Sequence, residues 1–197
     1  MSNLFQTLEL AAFRSGITPR TRQSREWFRQ KARQITGIDR EELMGEEELQ
    51  RTSSEVAGHM YMFFYDPKGK DKLPYYDRFP LVIVVGPAEK GFYGLNLHYL
   101  QPIVRAKFLD ALLDITNNNR YDQTTRFNLS YSLLKRSSKL RQFAPCFKHY
   151  LSSQVKGRFA KISAPEYEIA TFLPTADFAK AGQARVFADS RKIINAL

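Results

Sequence analysis

Apolar residues recur along this chain with two different periods, and the change between them divides it. Between residues 59 and 99 the pattern is of β type. His59-Met60-Tyr61-Met62-Phe63-Phe64-Tyr65 ends at Asp66-Pro67-Lys68-Gly69, a strong turn signal. Leu81-Val82-Ile83-Val84-Val85 is apolar at every position, which predicts a strand covered on both faces. Gly86-Pro87-Ala88-Glu89-Lys90-Gly91 then turns the chain into a third run, Phe92 to Tyr99. Gly94 inside that run predicts a bulge or a close backbone approach. Three strands so closely spaced fit a small curled antiparallel sheet or an SH3-like barrel. Such a unit is marginal alone and must pack against helices.

After the sheet the period becomes helical. Val104, Phe108, Ala111, Leu112 and Ile115 predict a helix opened at Pro102 and closed by Asn117-Asn118-Asn119. Phe127, Tyr131 and Leu134 predict another, opened by Thr124 or Thr125, and Phe143, Phe147, Tyr150 and Leu151 a third, entered near Pro145. Ser163-Ala164-Pro165-Glu166 reads as a capping box before a helix carrying Ile169, Phe172 and Leu173, which must break at Pro174. A last short helix is expected from about Val186. Before the sheet, Arg22, Arg25, Arg29 and Arg33 step by three, four and four, so they share one helix face beside an apolar stripe of Phe28, Ala32 and Ile35. A loop at residues 15–19 precedes this helix and Gly37 is its expected stop. The expected fold is therefore α+β, with several helices packed around a small curled sheet. Residues 56–197 form its core domain, and residues 1–55 a helical, charge-segregated N-terminal segment.

Composition adds exclusions. With 43% apolar and 25% charged residues in 197, the chain is that of a packed protein. One cysteine excludes an intramolecular disulfide, and three histidines without ligand spacing give no reason to expect a metal or a cofactor. No apolar run approaches the ~18 residues of a membrane span, so no membrane partner is expected. The opening residues lack the pattern of a secretory leader.

Charge changes the picture more. Thirty Lys and Arg against twenty Asp and Glu leave +10, and the excess is segregated. Residues 14–33 carry +6, residues 41–55 carry −5 and residues 120–161 carry +9. Segregation of this kind favours a polyanionic partner over a merely solvated face. The planar arginine fork suits phosphate oxygens. Arg20, Arg22, Arg25, Arg29 and Arg33 are the first candidates. The competing reading pairs them with Glu41, Glu42 or Glu46 to Glu48. Lys135, Arg136, Lys139 and Arg141 are the candidates of the second basic block. In the stretch from Lys68 to Phe79, Lys68, Lys70 and Lys72 precede Tyr75 and Tyr76, a combination that can grip a backbone and stack on unpaired bases. Alternatively the tyrosines fold back to cap the sheet, as the rigid Pro74 and Pro80 favour.

Catalytic chemistry finds little support. Asp77 with Glu89-Lys90 comes closest to a metal-dependent nuclease pattern, but no residue separates the glutamate from the lysine, and the pair sits in a Gly-Pro turn. Cys146 and His149 lie three apart on the expected third helix, in an aromatic run that suits a core thiol better than a nucleophile. His98 alternates with Leu97 and Tyr99 as a structural strand histidine would. Residues 86–91 lack the spacing of a phosphate-cradling loop. No catalytic residues are expected.

The run MYMFFYDPKGKDKLPYYDRFPLVIVVGPAEKGFYGLNLHYL, residues 60–100, resembles a segment of the DNA end protector proteins of large contractile-tailed phages. EYEIATFLPTADF and VFADSRK, within residues 165–192, have the same character. Together these stretches cover about a third of the chain and contain no compact active-site motif, so no functional residue is carried over. The resemblance implies a minor virion protein loaded onto the ends of linear double-stranded DNA during head completion. It would shield them from host exonuclease in the host cytoplasm after infection, with other head or neck proteins as further partners. The alternative is a structural head–neck or tail-completion protein with a basic surface and no end-specific activity.

Overall fold

The computed structural model describes residues 3–46, 49–116, 118–120, 122–163 and 166–196. Three helices come first, α1 (Leu4–Arg14), α2 (Arg22–Ala32) and α3 (Arg40–Gly45). The strands are β1 (Gln50–Thr52), β2 (Met60–Tyr65), β3 (Tyr76–Asp77), β4 (Leu81–Ala88), β5 (Gly91–Asn96), β6 (Phe147–Leu151), β7 (Val155–Ile162) and β8 (Phe178–Ala179). The remaining helices are α4 (Pro102–Thr116), α5 (Gln123–Ser137), α6 (Tyr167–Phe172) and α7 (Gln183–Ala196).

Six strands form one antiparallel sheet in the order β1-β7-β2-β4-β5-β6, while β3 and β8 pair separately. The sheet is open, with β1 and β6 at its edges, so it does not close into an SH3-like barrel. In β2 and β4 successive side chains go to opposite faces. Met60, Met62, Leu81, Ile83 and Val85 join the main core under the helices, and Tyr61, Phe63, Tyr65, Val82 and Val84 join Phe92, Tyr150 and Phe159 on the other face. That second cluster is built from sheet residues, with Phe63 fully buried at its centre. Phe63 lies 5.0 Å from Phe159 and 5.4 Å from Tyr150, both edge-on, each pair worth about 0.5–1.5 kcal/mol beyond area burial. Register shifts in β2 after Met62 and in β4 after Val84 supply local bends. At Gly94 a Cβ would overlap the Val82 side chain, the close approach its place in a strand predicts. Phe5, Phe28 and Leu43 of the N-terminal helices sit in the same main core as the sheet.

Four local expectations are corrected. Residues 147–151 form a strand on β5, because Phe147 and Tyr150 stack on Tyr93 and Phe92 across the pair. The third sheet run ends at Asn96, whose side chain accepts from the His98 amide and starts a 3-10 turn. Helix α5 is capped by Asp122, whose carboxylate accepts from the Thr125 amide at 2.7 Å, in place of Thr124 or Thr125. Helix α2 ends at Ala32, well before Gly37. At residue 163, Glu166 does reach back to the Ser163 amide, at 2.9 Å, but the Ser163 hydroxyl donates to Glu166 as well. Asn117, Ala164, Pro165 and the side chains of Thr124 and Phe127 lie outside the described residues.

Candidate nucleic-acid interface

Helix α2 begins with a reciprocal cap. Thr21 Oγ1 accepts from the Ser24 amide at 3.1 Å, and Ser24 Oγ accepts from the Thr21 amide at 2.9 Å. Its attachment to the body is a buried glutamate of α6. Glu168, 1% exposed, accepts from the Arg20 amide at 2.9 Å and from Ser24 Oγ at 2.7 Å, and faces Arg25 Nη1 at 3.5 Å. Arg25 also pairs with Asp110 of α4. The four-arginine row is therefore divided. Arg22 and Arg33 are exposed, Arg29 is half-buried and pairs with Glu26 at 2.7 Å, and Arg25 points inward. Glu26 pairs with Arg29, and Asp110 and Glu168 face Arg25. Within the segment at residues 41–48 Glu46 accepts from the Leu4 amide, and Glu47 and Glu48 lie outside the described residues. Arg25 shares a stripe with the buried Phe28 and Ala32, the one signal of its position that spacing carries.

The other candidate cations are exposed. Lys68 and Lys72 carry no ion pair among the described residues, whereas Lys70 pairs with Asp66 at 2.9 Å. Their loop is held down by Lys180, whose ammonium donates to the carbonyls of Lys70, Asp71 and Leu73. Tyr75 folds back onto Tyr99 and Phe178, at 6.2 and 6.3 Å between ring centroids. Lys135 and Arg136 end α5, and Lys139 and Arg141 follow it, all four exposed. Lys135 lies over the Tyr131 ring at 4.7 Å, and Arg141 Nε donates to the Ile194 carbonyl of α7.

One cavity of about 340 Å³ opens beside β5 and β6, walled by Tyr65, Tyr75, Tyr76, Tyr99 and Tyr150 with Lys68 and Lys148. Burial lowers the pKa of Lys148, which lies 4.1 Å over the Tyr99 ring and has no ion pair among the described residues. Asp77 lies in the wall and is fully committed. Its Oδ2 accepts from Asn96 at 3.0 Å and from His98 Nδ1 at 2.7 Å, and its Oδ1 accepts from the amides of Phe79 and Asp177. Burial alone would raise its pKa, but His98, Asn96 and the Asp177 amide outweigh burial and hold the carboxyl below its usual range. His98 is buried in the 3-10 turn after β5, its Nε2 at 3.1 Å from Thr175 Oγ1, and desolvation outweighs the pull of Asp77 and lowers its pKa. This is a structural tie between the two sheets. Glu89, the third member of the nuclease-like pattern, is exposed in the turn after β4. Cys146 is buried, its thiol pushed up to about 12 by desolvation, while His149 is exposed and hydrogen-bonds to the Glu89 carbonyl. Among the described residues no group of three or more His, Cys, Asp and Glu could hold a metal ion.

A second cavity, of about 310 Å³, lies between α2, α4, α6 and α7. Arg29, Arg33, Arg105 and Thr171 line it together with apolar side chains and Gln183, and no carboxylate residue is among its lining. Arg105 escaped the sequence reading. It is 4% exposed, and three of its five N–H groups donate to the carbonyls of Leu100, Thr171 and His98 at 2.8, 3.3 and 3.1 Å. Burial lowers its pKa to about 10, which leaves it charged at neutral pH. The signal for it is a lone arginine on the apolar face of α4, at 105, 108, 109 and 112 beside Phe108, Leu109 and Leu112. Gln183, Phe187 and Ile194 share one face of α7 by their spacing of four and seven. That helix therefore links the arginine cavity to Arg141 over ~17 Å.

No curated protein and no solved structure matches the chain. A family model described as phage T4 terminal DNA protecting protein matches residues 6–195, nearly the whole length. The chain belongs to the family of phage T4 terminal DNA protecting proteins.

Proposed function

We propose that this protein binds the ends of linear double-stranded phage DNA as a non-enzymatic virion component and shields them from host exonuclease, being loaded at head completion. The observation that carries the reading is a pair of cationic groups joined by α7, Arg29, Arg33 and Arg105 beside Gln183 and Phe187 and Arg141 beside Ile194, within a family whose description names terminal DNA protection. Arg22, Arg29 and Arg33 at one end, and Lys135, Arg136, Lys139 and Arg141 at the other, are the phosphate contacts of this reading. Lys68, Lys70 and Lys72 form a separate contact beside the tyrosine cavity. Arg25, turned inward onto Asp110 and Glu168, serves the attachment of α2, and Arg20 stays among the phosphate contacts of this reading.

Phosphate contacts carry affinity through counterion release, so about six of them imply a log–log salt slope near −5 on duplex DNA. The test sets blunt linear duplex against a covalently closed circle of equal mass as competitors, with an added exonuclease in parallel. Preference for the linear competitor, a steep slope and slowed digestion support the reading. Equal competition by the circle would point instead to a head–neck protein with a basic surface. Cutting of the DNA by the protein with Mg²⁺ or Mn²⁺ would overturn the non-enzymatic assignment.

A further inference from the structure

We propose that the cavity between α2, α4, α6 and α7 is a seat for the terminal phosphomonoester of a DNA strand. This deepens the proposed function and rests on it.

Three observations converge on an anion. Arg29, Arg33 and Arg105 line one recess in which no carboxylate residue takes part, and among the described residues neither Arg33 nor Arg105 has an ion pair. A buried, uncompensated guanidinium is costly, and an arriving anion offsets that cost. Two polar atoms of the lining are also orphaned. Thr171 Oγ1, in a residue 0% exposed, and Arg29 Nε are buried without a hydrogen-bond partner. Both atoms are covered by the wall, so a ligand meets them only through a shift of the lining, whereas the guanidinium groups themselves give phosphate oxygens charge-assisted bonds, which are the strong kind. Finally, Pro102 of the lining is the first residue of the fifteen-residue α4, whose positive dipole end adds to the same field.

The shape of the site selects an end. An internal phosphodiester is flanked by sugars on both sides and carries one charge. A terminal phosphomonoester has a single ester link and ≈ −1.5 to −2 charge at pH 7. It can enter a recess that the continuous backbone must pass over. Its dianionic form also suits a lining with three guanidiniums.

The experiment measures binding of three blunt duplexes of one sequence at fixed salt: one with 5′-phosphates, one with 3′-phosphates and one with hydroxyl termini. One of the phosphorylated duplexes should bind about tenfold or more tightly than the hydroxyl duplex. Arg33→Gln, on an exposed side chain, should reduce that ratio at least several-fold. Thr171→Val, which removes an unpartnered hydroxyl and keeps the volume, should do the same without lowering thermal stability. Inorganic phosphate should compete away the preference before it abolishes binding. Equal affinity for all three duplexes, with binding intact, overturns the seat and leaves DNA-end binding standing. Absence of binding to any duplex overturns both. Thermal stabilisation by inorganic phosphate that vanishes in both variants, with no preference among the duplexes, would make the recess a site for the free ion and overturn the assignment to DNA termini.

Discussion

The two cavities hold positive charge in opposite ways. The helical one contains three guanidiniums, a weakly hydrated group that stays ionised across the working range of pH. The one beside the sheet contains a single deep ammonium, Lys148, among tyrosines, and burial has already lowered its pKa. An arginine can spend N–H groups on carbonyls and keep others free, as Arg105 does, whereas a lysine has three donors on one compact charge. The difference teaches where this fold commits permanent charge. It does so between helices, where carbonyls at the end of α6 and in the turn before α4 give a buried guanidinium its partners.

The largest way to break the contrast is to release α2, which supplies two of the three arginines. Glu168→Ala removes the acceptor of the Arg20 amide and Ser24 Oγ and leaves Arg25 buried with Asp110 alone. Breaking a buried pair in this way costs about 3–5 kcal/mol. Urea denaturation should show that loss, and DNA affinity should fall with it, while the tyrosine cavity keeps its tyrosine fluorescence. An unchanged denaturation midpoint would mean that α2 is held by its apolar contacts through Phe28 and Ala32.

The next effect sharpens the electrostatic side. Arg29→Gln with Arg33→Gln preserves helix propensity and removes two charges from the cavity rim. The salt slope of DNA binding should shrink by about two, one per lost phosphate contact. Stability should move by less than about 0.5 kcal/mol, because both charges are at least partly solvated. Titrations at several salt concentrations measure the first effect, and thermal melts the second. An unaltered slope would assign the rim to contacts other than DNA.

A third effect is pH dependence at the wall of the tyrosine cavity. His98 has a folded pKa below the ordinary histidine value of 6.5, so its contribution to stability is present above that value and is lost as pH falls through the window beneath it. Asp77 is also depressed, below 3.8, and adds a further loss at still lower pH. Stability should therefore decline from about pH 7 to about pH 5, and the decline should flatten in His98→Gln. Guanidinium groups do not titrate there, so the arginine cavity should contribute nothing to this slope. A wild-type stability that stays level across that range would show that His98 takes up its proton as readily in the folded protein as in the unfolded chain.

How much of this could be read in advance depends on which force decided each element. β2 and β4 were legible because Met60 to Tyr65 and Leu81 to Val85 are short, continuously apolar runs bounded by turn signals, as strands covered on both faces are. α4 was legible from its helical spacing. β6 was not, since Phe147, Tyr150 and Leu151 fit helical spacing as well as a strand. The decision came from ring stacking on β5, which is a long-range contact. The arginine face of α2 was correctly placed on a helix but misjudged as uniform. Whether a charged residue on an apolar stripe turns inward depends on a buried acid, and Glu168 lies 143 positions from Arg25 in sequence. Arg105 was missed for a related reason. A charge on the apolar side of an amphipathic helix reads as noise until the carbonyls that receive it are known.

The smallest effect concerns Lys148 itself and tests whether the two cavities really differ in kind. A lysine whose folded pKa lies below its unfolded value of 10.5 releases its proton earlier when folded. The unfolded chain then binds more protons in the window between the two values, so stability rises with pH across it. Lys148→Met removes that dependence. The stability of the wild type relative to the variant should therefore rise as pH increases through that window, by no more than about 1 kcal/mol for a charge that keeps some contact with water. The charge of Lys148 is set against the Tyr99 ring and not against a carboxylate, so no acid is left unpaired by the change. Thermal melts of both proteins at a series of pH values make the measurement. Parallel curves would show that Lys148 titrates as it does in water, and the two cavities would then differ in geometry alone.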